Sequence, residues 1–312
     1  MVSDPDRPIE AVRRMLTDLL GGPDASIAHR QAQAAAFAAA QPPLPAGLTL
    51  TIEMRRGVPV ERLEPQGTPA LSLLHLHGGG YVMGDPAGSR GLTTRLALTT
   101  PATVFSVDYR LAPEHRFPAA VDDAVAVYAD LIAHGADPAR IALIGESAGG
   151  GLAVATLIAA RDQGLPMPAA CVALSPWADL ACEGASHTTL HGRDPLLTRG
   201  VLLEMAALYL AGHDPADPLA SPSRADLTGL PPLLVQAGSE EVLRDDAAGL
   251  AAAARACGVA VDLRIWPDMI HVWQMFGDLL PEAEDAIAEI RGFLRSATAS
   301  PPGPKRAGSS PP

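Results

Sequence analysis

The sequence predicts an α/β protein, with a mostly parallel sheet covered by helices on both faces. Two observations carry this. Short apolar runs of strand length alternate with Ala-rich helical stretches, the pattern that builds successive parallel strands joined by crossover helices. Several of those runs are nearly continuous hydrophobic residues, as strands buried on both faces must be. No internal repeat is visible, so solenoids and propellers are excluded.

Taken along the chain, residues 1 to about 45 read as helical and precede the first strand. Strands are expected at Leu48–Glu53, Leu71–His75, Thr103–Asp108, Ile141–Ile144, Ala170–Leu174, Leu233–Gln236 and Val261–Trp266. Helices are expected at Ala119–Ala133, Gly149–Arg161, Asp245–Cys257 and Glu282–Arg295, where Ile287, Ile290 and Leu294 share one face. Residues from about 178 to 222 break the alternation with a polar His- and Asp-containing stretch, a helix at Val201–Leu210 and a loop, HDPADPLASPSR. This segment and the helical N-terminus are placed to cover the carboxyl edge of the sheet, where open α/β sheets bind ligands; the alternative is peripheral decoration. From about Ser300, SPPGPKRAGSSPP reads as a disordered end, so the folded unit is expected to span 1–297 and the tail 298–312.

Composition narrows the function. With 312 residues, 48% hydrophobic and 19% charged, the chain is globular and makes one large domain or two small ones. A formal charge of −12 argues against nucleic acid or an anionic membrane as partner, since both need a cationic face. The single lysine, Lys305, lies in the tail, which excludes Schiff-base chemistry and a GK[ST] phosphate loop in the folded part. Cys171, Cys182 and Cys257 are odd in number and lack CxxC spacing, so a reducing compartment is expected. No apolar run reaches the length of a membrane span, and MVSDPDRPIEAVRRML does not read as a secretory signal. The expectation is a cytoplasmic protein that uses no metal or cofactor.

Four motifs carry chemistry. Gly145-Glu146-Ser147-Ala148-Gly149 follows the strand ARIALIG and opens an Ala-rich helix. In that strand–turn–helix setting, G-x-S-x-G lifts a serine hydroxyl clear of the sheet on a strained turn. The competing reading, a Gly-rich phosphate-binding helix start, loses its dinucleotide form because position 154 is Val. His77-Gly78-Gly79-Gly80-Tyr81 follows the strand LSLLHLH, and its consecutive glycines let backbone N–H groups converge on one point. Negative charge developing on a carbonyl oxygen needs such donors; the candidates are Gly79, Gly80 and the Ala148 N–H after the serine. The stretch Gly238–Asp246 puts acids at the carboxyl end of a strand, and His271 follows the last strand. The order serine, acid, histidine is that of a triad on this type of sheet. His75 reads as structural.

Together HGGGYVMGD, DYRLAPEHRFPAA, GESAGGGLA, the acid motif and HVW resemble the hormone-sensitive-lipase-like branch of the α/β-hydrolase superfamily, the bacterial family IV esterases. The resemblance covers about residues 45–297. It implies an α/β-hydrolase fold with an eight-stranded sheet and a helical cap built from about 1–45 and 178–222. It also implies that DYRLAPEH supports the HGGG loop. The branch usually writes its acid as D-P-L-x-D-E; here the aligned stretch is Glu241-Val242-Leu243-Arg244-Asp245-Asp246. Glu241 is therefore the first candidate for the triad acid, with Asp245 and Glu240 as rivals.

The function so implied is a serine carboxylesterase for short to medium acyl esters, with Ser147, Glu241 and His271 as its triad. A lactonase on a cyclic lactone uses the same acyl transfer, and a small-molecule deacetylase or a non-catalytic ligand receptor are further alternatives. Tyr81, Val82, Met83, Trp177, Leu196, Trp273 and Met275 are candidate pocket linings. Many relatives in this branch dimerise through the last strand and helix, so a homodimer through the edge near Val261–Trp266 is an expectation.

Overall fold

A computed structural model describes residues 7–299. Two amphipathic helices come first, α1 (Pro8–Leu20) and α2 (Ile27–Ala39). Helix α1 starts on a proline and stops at Gly21 in the left-handed region, while Ser26 caps α2 through the His29 amide (3.3 Å). Then follow β1 (Leu48–Arg55), β2 (Val58–Pro65), β3 (Leu71–Leu76), α3 (Arg90–Thr99), β4 (Ala102–Val107), α4 (Ala119–Ala133), β5 (Ile141–Glu146), α5 (Ala148–Asp162) and β6 (Ala170–Leu174). The remainder is α6 (Ser186–Thr189), α7 (Arg199–Leu210), β7 (Leu233–Gly238), α8 (Arg244–Ala256), β8 (Val261–Trp266) and α9 (Pro281–Thr298).

The eight strands form one sheet in the order β1-β2-β4-β3-β5-β6-β7-β8. From β4 to β8 every pairing is parallel, whereas β1–β2 and β2–β4 are antiparallel. All seven strands expected from the sequence are present, with ends shifted by a few residues at most. Strand β2 is an addition. Its sequence, VPVERLEP, carries a proline at each end and charges in the middle, which masks its apolar pattern. The missed signal is Arg56-Gly57: both residues take positive φ (49° and 85°), and Arg55 pairs directly with Val58, a two-residue hairpin of the favoured twist. Glu61 of β2 is buried because Arg90 holds it with two hydrogen bonds (2.6 and 3.0 Å). Helix α3 was likewise not anticipated; its apolar stripe of Leu92, Leu96 and Ala97 is short.

Alternation along the strands separates two cores. Leu74, Leu76, Ile141, Leu143, Cys171 and Ala173 face one side with α4, α5 and α8. Leu71, Leu73, Ala142, Ile144, Val172 and Leu174 face the other with α3 and α9. Burial on both faces explains why these strands read as continuous apolar runs. A third cluster joins Ile9, Val12 and Leu16 of α1 to Ile270, Trp273 and the start of α9. Among the described residues no helix is long and apolar enough to cross a membrane. Of the expected tail, Thr298 ends α9 and Ala299 follows it, and residues 300–312 lie outside the described residues.

Candidate active site

Ser147 sits between β5 and α5 with φ 56° and ψ −122°, a strained backbone for a residue with a side chain. The glycines around it make the turn possible. A Cβ on Gly149 would overlap the carbonyl oxygens of Leu76 and His77, and one on Gly145 would overlap that of Gly149. The helix therefore packs against β3 closely enough to leave Ser147 at its N-terminus, at the carboxyl end of the sheet.

The structure brings Ser147, His271 and Glu241 into one chain of hydrogen bonds. Ser147 Oγ lies 2.9 Å from His271 Nε2, and His271 Nδ1 lies 2.8 Å from Glu241 Oε2. Glu241 is fully buried, and its other oxygen accepts from the Gly238 amide (3.0 Å). The Ser175 hydroxyl also bonds Glu241 and accepts from the Val272 amide (3.0 Å), so one side chain touches both the acid and the loop that bears His271. The two rival acids are engaged elsewhere. Glu240 pairs with Arg193 (2.5 Å), and Asp245 accepts from the Ser186 amide (2.8 Å). Burial alone would lower the basicity of His271. The hydrogen bond and charge of Glu241, helped by Asp194 and Glu146, outweigh it and raise its pKa above 6.5.

Gly79 and Gly80 face the same cavity as Ser147. Among the described residues no hydrogen bond uses the amides of Gly79, Gly80 or Ala148. Ala148 is the first residue of α5, so its N–H also carries the positive end of the helix dipole. The glycine loop is held from beneath. Glu146 accepts from the Gly78 amide (2.9 Å) and the Ser89 hydroxyl (2.6 Å) and pairs with His75 (2.8 Å), whose Nδ1 meets Ser106 (2.6 Å). Burial pushes the Glu146 carboxyl up, but His75 and these donors hold it down at about 2. His75 thus sits in a buried network. His77 stacks on Tyr109 at 4.1 Å, and the Tyr109 hydroxyl donates to the His77 carbonyl (2.7 Å). Burial drops the His77 pKa to about 4, so its ring is neutral.

A cavity of about 260 Å³ opens over Ser147, Gly79, Gly80 and His271. Helices α1 and α2 supply Leu16, Leu19, Leu20 and Phe37 to its wall, and the segment after β6 supplies Leu196, Leu197, Leu202 and Met205. The two segments that broke the strand–helix alternation thus enclose one apolar space. Of the expected linings, Met83, Trp177, Leu196 and Met275 border it. Tyr81, Val82 and Trp273 do not. Tyr81 turns away into the core and stacks on Tyr209 of α7 at 4.0 Å. Val82 is buried beside it, with its carbonyl bonded to Gln31 (2.9 Å). Trp273 packs under α1 because its indole N–H finds an acceptor in the Glu282 carbonyl (3.3 Å). The α1–α2 wall was invisible residue by residue, since which face of an isolated amphipathic helix meets a cavity depends on its docking.

Residues 73–275 match the family model described as alpha/beta hydrolase fold. The chain is 53% identical over 238 residues to an acetyl-hydrolase of Streptomyces hygroscopicus, covering 76% of this chain and 80% of that protein. It is 36% identical over 241 residues to an esterase of Acinetobacter venetianus, covering 77% and 80%. Among solved structures, an esterase from the bacterial hormone-sensitive lipase family superimposes with a TM-score of 0.90 at 44% identity, covering 96% of this chain and all of that one. These matches show that the chain belongs to the bacterial hormone-sensitive-lipase branch of the alpha/beta hydrolase fold, a family of carboxylic ester hydrolases.

Proposed function

We propose that the protein is a serine carboxylesterase that cleaves neutral esters of short to medium acyl chains through an acyl-enzyme on Ser147. The observation that carries this is the Ser147–His271–Glu241 relay at 2.9 and 2.8 Å beneath an apolar cavity. Ser147 Oγ attacks the ester carbonyl while His271 Nε2 takes its proton. The oxygen that becomes an anion receives the N–H groups of Gly79, Gly80 and Ala148; one such donor typically contributes about 2.7–4 kcal/mol to the transition state. The tetrahedral intermediate collapses, His271 returns the proton to the departing alcohol, and the acyl group stays on Ser147. Water then attacks the acyl-enzyme with His271 again as base. Glu241 fixes the Nδ1–H tautomer throughout and stabilises the imidazolium. The apolar walls favour uncharged acyl chains, and the modest volume favours short ones.

The test is hydrolysis of p-nitrophenyl esters from acetate to palmitate by the wild type and Ser147→Ala, with six- and seven-membered lactones alongside. The expected result is turnover that peaks at short chains, disappears in the variant and is weak on lactones. Near-normal turnover by Ser147→Ala would sink the assignment, and dominant lactone turnover would make the protein a lactonase by the same relay. We also propose a homodimer through β8, whose Asp262, Arg264 and Ile265 are exposed; molar mass by light scattering tests it.

A further inference from the structure

Glu241 does not stand alone on its loop. The residues on either side of it are held by two consecutive residues of the segment after β6. Arg193 pairs with Glu240 (2.5 Å), and Asp194 Oδ2 accepts from the Val242 amide (3.0 Å). The other oxygen of Asp194 accepts from the amides of Leu196 (2.8 Å) and Leu197 (3.0 Å), both of which line the cavity. Asp194 is 1% exposed, and each of these three bonds brings it a donor. A carboxylate is the side chain that such a ring of N–H groups accommodates.

We propose that Asp194 is a positioning residue for the triad acid, fixing Glu241 against His271 and tying it to the cavity wall. The inference rests on the acyl-enzyme reading of Ser147. Its physical basis is reach. Glu is one methylene longer than the Asp of the related motif, so its carboxylate has one more rotatable bond to be fixed. The ion pair at Glu240 and the backbone bond at Val242 restrict the loop on either side, and Ser175 and the Gly238 amide fix the side chain itself. Asp194 also adds negative potential behind His271. The charged groups facing His271 are Glu241, Asp194 and Glu146, and those facing Asp194 include His271 and Arg30 on α2; burial raises the Asp194 pKa, which His271 and the three N–H donors oppose. Arg30 is itself buried and anchored to the carbonyls of Gly22, Pro23 and Ala25, so it holds a fixed cation near the carboxylate.

The experiment is Asp194→Asn, with kcat expressed per site titrated by an organophosphate at Ser147. The amide keeps the acceptor for Leu196 and Leu197 but turns an NH2 toward the Val242 N–H, which breaks the clamp and removes the charge. The expected result on p-nitrophenyl butyrate is a fall in kcat of up to about 100-fold, the scale on which a misplaced catalytic group acts, with KM nearly unchanged. The acid limb of kcat/KM moves to lower pH, because His271 loses a neighbouring anion. Wild-type kcat per titrated site together with an unmoved acid limb overturns the inference, even where thermal stability falls. Should Asp194→Asn not fold, Asp194→Glu keeps the charge and moves the acceptor. Its acid limb then stays in place while kcat falls, and an unchanged kcat overturns the inference. A wild type that the organophosphate does not label overturns the acyl-enzyme reading and this inference together; a labelled wild type with an indifferent Asp194→Asn sinks this inference alone.

Discussion

Replacing Glu146 by Gln isolates the network under the glycine loop. The carboxylate is buried and serves three partners: the Gly78 amide, the Ser89 hydroxyl and His75. Its pKa of about 2, against 4.5 for a free side chain, means that the fold favours the ionised form by about 2.5 pH units. At 1.36 kcal/mol per unit this corresponds to about 3 kcal/mol, in the range expected for breaking a buried pair. Gln retains one acceptor oxygen and its NH2 can donate to the His75 ring, so the net loss at pH 7 is set at about 2–3 kcal/mol. For a chain of this size that lowers Tm by roughly 3–5 °C. Catalysis also suffers, since Gly78 precedes Gly79 and the loop loses its anchor at the point where it must hold two N–H groups in place. The assay is thermal denaturation by circular dichroism from pH 7 down to pH 2, with kcat on p-nitrophenyl butyrate at pH 7. The folded pKa is depressed, so this stabilisation is complete above about 4.5 and fades as pH falls toward about 2. The Tm difference between wild type and variant must therefore shrink across that window. A Tm within 1 °C of wild type at pH 7, or a difference that stays constant down to pH 2, refutes the reasoning.

Three further outcomes follow from the site. The raised pKa of His271 places the acid limb of kcat/KM above pH 6.5 in the wild type, because the base must be neutral to accept the serine proton; a midpoint below 6 contradicts the role given to Glu241. Ser175→Ala leaves the Val242 side of the clamp intact but frees Glu241 and the Val272 amide, so kcat falls about 10-fold or more with little change in KM; steady-state kinetics at pH 8 checks it. Gly149→Ala forces a methyl group against two backbone carbonyls that have no side-chain freedom to yield. It costs more than about 3 kcal/mol or prevents folding, which urea denaturation measures; a variant of wild-type stability shows that α5 does not pack as closely on β3 as described.

Much of the molecule was legible in the amino-acid sequence because the signals are local. Strands β3 to β7 announce themselves because burial on both faces demands nearly unbroken apolar runs, and Ala119–Ala133 reads as a helix from its composition alone. Ser147 is legible because the strand–turn–helix packing tolerates only glycine at 145 and 149. The consecutive glycines after His77 are legible for a similar reason: positions 79 and 80 take positive φ, and a Cβ at either would strike Met83 or Met205. Strand β2 was not, since its buried charge, Glu61, is neutralised by Arg90, which lies about 30 residues away in sequence.

Choosing among acids at the end of β7 needed three dimensions. The motif alignment ranks Glu241 first, but Glu240, Glu241 and Asp245 lie within six residues and share the same chemistry, and the position of His271 after β8 shows which one meets it. The cavity obeys the same logic. Tyr81 and Trp273 have the size and apolarity of pocket residues, but where a side chain points from a loop depends on which neighbour offers its polar atom an acceptor or its ring a stacking partner. Periodicity and backbone sterics are properties of a few consecutive residues, so the sequence states them directly. The relay, the clamp of residues 193 and 194 on the acid loop, and the wall supplied by α1 and α2 join segments tens to hundreds of residues apart. They exist only once the sheet has brought those segments to its carboxyl edge.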